Sequence, residues 1–140
     1  MKNTKIYSYF AMALGAVSSY FGEFDGLLKA LLIFMIIDYI TGWTCAVMGK
    51  SPKATDGKLN SNIGAIGLIK KAMIMLCVLI SVVLDEALGQ KNMFRNATIM
   101  FYIANEGLSF VENLGIMGVP FPKSVKDAIS ALSHDGDNNK

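Results

Sequence analysis

The feature that most constrains this chain is the alternation of long apolar stretches with short charged clusters. Apolar blocks run over residues 6–24, 27–48, 71–88 and 94–114, each close to the roughly 20 residues an α-helix needs to cross a hydrocarbon core about 30 Å thick. Lipid offers no hydrogen bonds, so such segments are expected as helices that satisfy their backbone internally. The predicted fold class is an all-α integral membrane protein, one membrane domain over 1–140 with three to four transmembrane helices. Composition agrees: 53% of the 140 residues are hydrophobic and 17% charged, where an ordinary soluble domain carries about 25% charged residues.

Residues 49–70 contain Pro52, Gly57, Asn60, Ser61, Asn62, Gly64 and Gly67, a composition that breaks helices and predicts the main loop. Lys50, Lys53, Lys58 and Lys70, with Lys71 just after, face a single acid there, Asp56, so the positive-inside bias makes the loop cytoplasmic. Alternation then places Lys2 and Lys5 inside, the Glu23/Asp25 corner and the 85–95 connection outside, and Lys123 and Lys126 inside. Both termini are thus expected in the cytoplasm, with the chain crossing the membrane several times. The first block has no small-residue cleavage site before a polar mature start and is expected to be retained; with Ser18, Ser19, Glu23 and Asp25 it suits either a full span or a helix entering the membrane, hence three or four spans. Beyond block four, Gly118, Pro120 and Pro122 stop the helix, and Val125, Ala128, Ile129 and Leu132 predict a short amphipathic helix over 123–132 lying on the inner membrane surface. The Asp/Asn-rich tail 134–140 is expected to be disordered.

Polar side chains inside apolar blocks carry the functional signal, because a charge at the centre of a spanning helix costs about 2.5–3.5 kcal/mol and needs a partner or water. Asp38 is near mid-depth in the second block, with Thr41, Gly42 and Cys45 close to its face at helical spacing. In the fourth block Thr98, Tyr102, Asn105, Ser109 and Glu112 follow at steps of three or four, with Glu106 and Asn113 at the margin. Counted from Leu27 and Arg95, Asp38 and Glu106 both lie eleven residues in, about 16 Å. Two carboxylates in dry contact at that depth cannot both stay ionised, so either water reaches them or at least one is protonated. Two readings remain: interhelical hydrogen-bonding glue within one bundle, or the wet lining of an oligomeric pore. In the first block Ala11, Gly15, Ser19 and Gly22 put small residues on one flank, a pattern that favours close helix approach and self-association.

Other chemistry is missing from the pattern. A net charge of +2 with scattered lysines gives no nucleic-acid footprint. There is no phosphate-binding loop, no zinc-type Cys/His spacing and a single histidine, His134, in the tail, so neither enzymatic activity nor a cofactor or metal is expected.

The stretches Asp38-Tyr39-Ile40-Thr41-Gly42, Ser61 with Gly67, Lys70 and Lys71, Tyr102-Ile103-Ala104-Asn105-Glu106 with Ser109, Glu112 and Asn113, and Gly118-Val119-Pro120-Phe121-Pro122 together resemble the phage-lysis and toxin-secretion holins of Gram-positive bacteria and their phages. The resemblance covers residues 31–132; the polar connection over 51–60 is longer than is usual in that family. It implies a non-enzymatic protein that homo-oligomerises among the lipids of the host inner membrane and opens lesions. An endolysin, or a toxin, then leaves without necessary direct contact, and an antiholin is a candidate regulator. An antiholin-type subunit and a small transporter or channel component are the rival readings.

Overall fold

The computed structural model describes residues 5–9, 12, 15, 20–51 and 61–134. The expected first span is therefore described only in part, and 52–60 and 135–140 lie outside the described residues. After a helical stretch at 5–9, the chain forms α1 (Gly26–Val47), α2 (Ser61–Ala87), α3 (Met93–Met117) and α4 (Lys123–His134), with no strand among the described residues. Asp25 opens α1 as its N-cap, its carboxylate accepting from the Leu28 N–H at 2.9 Å. A carboxylate from the preceding helix opens α3: Asp85 accepts from the N–H groups of Phe94 at 2.9 Å and Arg95 at 2.8 Å. Two donors that a helix start leaves orphaned are thus satisfied. Gly118 ends α3 at φ +77, a conformation that suits a residue without a Cβ.

The largest departure from expectation is the start of α2. The expected span began at Lys71, after a loop over 49–70; the helix begins at Ser61. No proline follows Pro52 in that stretch, and Ile63, Ile66, Leu68 and Ile69 carry an apolar pattern back through it. The glycines read as breakers are packing positions: the Tyr39 hydroxyl lies 3.6 Å from where a Cβ on Gly64 would stand, and its ring 3.6 Å from one on Gly67. Lys70 is therefore an exposed helical residue and Lys71 an inward-facing one, so neither is a loop residue.

α3 is the central helix, packing on α1, α2 and α4, while α1 and α2 touch each other less extensively. Contacts between Asp25 and Arg95 at one end and between Thr41 and Asn113 further along make α1 and α3 parallel. Lys71 against Glu106 and Ser81 against Thr98 make α2 antiparallel to both. Toward the Asp25 end, Leu28, Leu31, Met35, Ile74, Val78 and Ile99 form the apolar core. The outer faces of α1 and α2 stay apolar: Ile33, Ile36, Ile40, Trp43, Ile66, Ile69, Met73, Ile80 and Val83 are all more than half exposed.

Such surfaces suit hydrocarbon. α1 and the Gly64–Ala87 part of α2 are long and apolar enough to cross a membrane, two helices where three or four spans were expected. α3, at 25 residues, has the length, but its polar residues make it less apolar than its neighbours. The helix expected over 123–132 is α4, and it does not extend away from the bundle. Ile129 is buried, its Cγ2 lying 3.1 Å from where a Cβ on Gly107 would be, and Phe121 meets Phe110 edge to face. α4 thus folds back against the second half of α3.

Candidate functional site

At the middle of the bundle the three long helices converge on one cation. The Lys71 ammonium donates to Asp38 Oδ2 at 2.8 Å and to Glu106 Oε2, and no side chain of the three is more than 11% exposed. Sequence reasoning set Asp38 and Glu106 at a common depth; both reach the same nitrogen. It assigned Lys71 to the cytoplasmic side, and so missed the group that holds the two acids together. The available signal was the ten apolar-patterned residues from Ser61, which make Lys71 as deep as Asp38.

Asn113, about two turns beyond Glu106 on α3, extends the cluster. Its Nδ2 donates to Asp38 Oδ1 at 3.2 Å and to Thr41 Oγ1 at 3.1 Å. The Thr41 hydroxyl donates back to the Ile37 carbonyl at 2.9 Å. Gly42 lies against this amide, a Cβ there standing 3.7 Å from Asn113 Nδ2. Cys45 donates its thiol to the Asn113 carbonyl at 3.5 Å. The contacts of Asn113 tie α1 to α3, and each buried side-chain nitrogen and oxygen among the described residues has a partner. At low dielectric that complete satisfaction separates a specifying network from a costly one.

The predicted stripe on α3 divides into three parts. Glu106 and Asn113, taken as its margin, are buried at the α1 contact. Thr98 and Tyr102 face α2: Thr98 Oγ1 and Ser81 Oγ share a hydrogen bond at 2.6 Å, and Tyr102 lines a shallow groove with Cys77. Asn105 and Glu112 are exposed, with Ser109 half-buried. Asp38, Thr41, Gly42, Glu106 and Asn113 therefore meet in one cluster, Thr98 and Tyr102 meet a different helix, and Asn105 and Glu112 point outward.

A second polar centre sits at the Asp25 end. The Arg95 side chain is fully buried, donating to Asp25 Oδ2 at 2.9 Å and to the carbonyls of Phe21 at 2.8 Å and Glu23 at 2.7 Å. The Arg95 guanidinium, with help from the Leu28 N–H, holds the Asp25 carboxyl below the usual carboxylate range. Gly22, expected on a self-association flank, belongs here instead. Its φ of +77 takes it out of a helix, and a Cβ would stand 3.0 Å from Arg95 Nε; a side chain there would meet both strain and the guanidinium. Gly15 is helical, while Ala11 and Ser19 lie outside the described residues, as do Lys53 and Lys58. Lys50 is exposed just past the end of α1.

Comparison with known proteins gives a consistent picture. The chain is 38% identical over 125 residues to an uncharacterized 14.9 kDa protein of the nagH 3' region of Clostridium perfringens, covering 88% of this chain and 89% of that one. It is 38% identical over 130 residues to an uncharacterized protein of Halalkalibacterium halodurans, with 89% and 91% covered. A probable holin of Bacillus phage phi105 is 34% identical over 117 residues, with 84% and 81% covered. No solved structure matches. The profile of the Bacteriophage holin family matches residues 15–134. That stretch holds the apolar helices, the Asp38–Lys71–Glu106 cluster and the folded-back α4; the chain belongs to the Bacteriophage holin family.

Proposed function

We propose that this chain is a holin. It accumulates in the bacterial cytoplasmic membrane, associates with further copies of itself, and opens aqueous lesions through which an endolysin reaches the cell wall or a toxin leaves the cell. It acts by assembly, with no covalent chemistry. α1, α2 and α3 span, with Asp25, Asp85 and Arg95 at the outer boundary and the 48–60 connection and residues 118–122 at the inner one. The up-down-up packing of the three helices supports this arrangement, and Lys50, Lys53 and Lys58 on the inner side follow the positive-inside bias.

The observation that carries the reading is the contrast between the two sides of the helices. α1 and α2 turn apolar side chains outward, while two acids, a lysine and an amide are enclosed and mutually satisfied. A chain so built rests in lipid as a closed unit, and Asn105 and Glu112, exposed on α3, give neighbouring units a polar face to share. In a transporter, Asp38 and Glu106 would bind a passing cation; here Lys71 already occupies the space between them.

Inducible expression in a bacterial host, followed with a potential-sensitive dye and an impermeant DNA stain, tests the proposal. Abrupt depolarisation and stain uptake after a lag are expected. Asn105→Leu should reach the membrane in normal amount and shift the lag several-fold. Cells that remain energised at full expression overturn the reading, and a chain that only delays lysis by another holin is a regulator instead.

A further inference from the structure

We propose that α4 is a re-entrant helix whose outer face, centred on Asp127, is in contact with water inside the thickness of the membrane and lines the inner half of the lesion. The inference rests on the holin reading above and adds to it which element carries the wet surface.

The argument starts from depth. Gly107 is ten residues from the end of α3 at Met117, about 15 Å at 1.5 Å per residue, or half of a hydrocarbon core about 30 Å thick. Ile129 is packed at that level, its Cγ2 against Gly107 beside Phe34 of α1. The glycine is what permits it: a Cβ would stand 3.1 Å from both Ile129 and Phe34. Asp127, two residues earlier, lies within about 3 Å of that level and is exposed. At 100° per residue it sits about 160° around α4 from Ile129, so it faces away from the bundle. Lys123 and Lys126 are also exposed, and neither they nor Asp127 form an ion pair with another described residue.

The hydrocarbon does not stop short of this level. On α1, Ile36, Ile40, Trp43 and Val47 are each more than half exposed from the depth of Asp38 to the end of the helix. They require lipid over the same interval in which α4 presents charge. Lysines at that depth, Lys70 and Lys126 among them, can carry their ammonium groups toward the boundary on four-carbon stems. Asp127, with one methylene, cannot. An ionised aspartate facing lipid is strongly disfavoured, whereas one facing water is not. The bundle is therefore two-sided at one depth, apolar on α1 and, Lys70 apart, on α2, and charged on α4, which is the cross-section a subunit needs to stand between lipid and water.

The test uses the full chain in a Cys45→Ala/Cys77→Ala background, reconstituted in phosphatidylglycerol/phosphatidylethanolamine vesicles loaded with a fluorescent dye. Single cysteines at Asp127, at Ile129 as the packed control and at Ile36 as the lipid control are reacted with a quaternary-ammonium methanethiosulfonate. Asp127→Cys should react at least tenfold faster than either control. A separate Gly107→Cys/Ile129→Cys pair should form a disulfide under mild oxidation, and the cross-linked protein should still release dye and, with Asp127→Cys added, still label. A reaction at Asp127 as slow as at Ile36 overturns the proposal. So does failure of the disulfide to form, which would mean a helix free on the surface, or dye release that returns only on reduction, which would make α4 a latch. Absence of dye release from the unmodified protein instead overturns the holin reading itself.

Discussion

Replacing Lys71 with methionine probes the bundle at its centre. The ammonium donates to Asp38 Oδ2 at 2.8 Å and to Glu106 Oε2, and methionine keeps most of the stem while removing the charge. Two oxygens that shared one nitrogen lie within about 5 Å of each other, and like charges at about 5 Å repel by about 3 kcal/mol at an effective dielectric of about 20. Removing one partner from a buried ion pair costs about 3–5 kcal/mol on its own account. Because the repulsion is part of that cost, the expected loss is about 3–5 kcal/mol and not the sum. It should be read from unfolding by sodium dodecyl sulfate in maltoside micelles at pH 7. A neutral set, Asp38→Asn/Lys71→Met/Glu106→Gln, should recover to within about 1–2 kcal/mol of the parent, since uncharged groups of similar volume often replace buried ions at little cost. If Lys71→Met lies within about 1 kcal/mol of the parent, or the triple variant is no more stable than the single one, Lys71 is not what holds the two acids together.

Asp25 and the hydroxyl pair give two further expectations. Asp25 has a folded-state carboxyl held below its usual value of 3.8 by Arg95, so its contribution is present above that value and lost as pH falls through the lower folded one; the stability gap between the parent and Asp25→Asn should be constant from about pH 5 upward and shrink below the usual carboxylate range, and a gap unchanged down to pH 2 would contradict the ion pair. For Ser81 and Thr98, hydrogen bonded at 2.6 Å, a double-mutant cycle with Ser81→Ala and Thr98→Val should give a coupling of about 0.5–1.5 kcal/mol in micelles, and zero coupling would mean the hydroxyls are satisfied independently.

The positions of α1 and α3 were legible because length and hydropathy decide where helices lie in lipid, and those signals are local. Where Lys71 points was not, because it depends on whether a glycine-bearing stretch is a loop or a helix. Gly64 and Gly67 look the same in sequence whether they break a helix or admit a tyrosine ring from α1. The same ambiguity misplaced Gly22, read as a small helix-packing residue when its role is to leave room for Arg95. The stripe on α3 was visible as a set of polar residues at helical steps. Its division between α1, α2 and the outside was not, since helical spacing gives a face but not its neighbour. α4 was legible as amphipathic, yet that pattern does not name its neighbours: Ile129 packs on Gly107 and Phe34, while Val125 and Ala128 of the same predicted face stay exposed.

The way α2 is attached bears on how such a bundle changes state. Lipid tails are as apolar as leucine, so apolar helix faces gain little by meeting each other rather than lipid beyond their packing contacts. What sets α2 in place and register is therefore its polar contacts with α3 and α1: Lys71 at mid-depth, Ser81 with Thr98, and Asp85 on the N-terminus of α3. α1, by contrast, is held to α3 along its whole length, from Asp25 on Arg95 to Cys45 on the Asn113 carbonyl. The apolar faces of α2 exchange for lipid at low cost, and its helical backbone keeps its own hydrogen bonds when it moves. The Lys71 contact is thus the dearest of the few that must be broken for α2 to separate. A loosened α2 would leave Asp38, Glu106 and Asn113 of the α1–α3 pair seeking other partners, and in a membrane crowded with copies of the same chain those partners are a neighbour's polar groups or water. On the holin reading proposed above, the cluster that closes the single subunit is the one most able to drive assembly once opened.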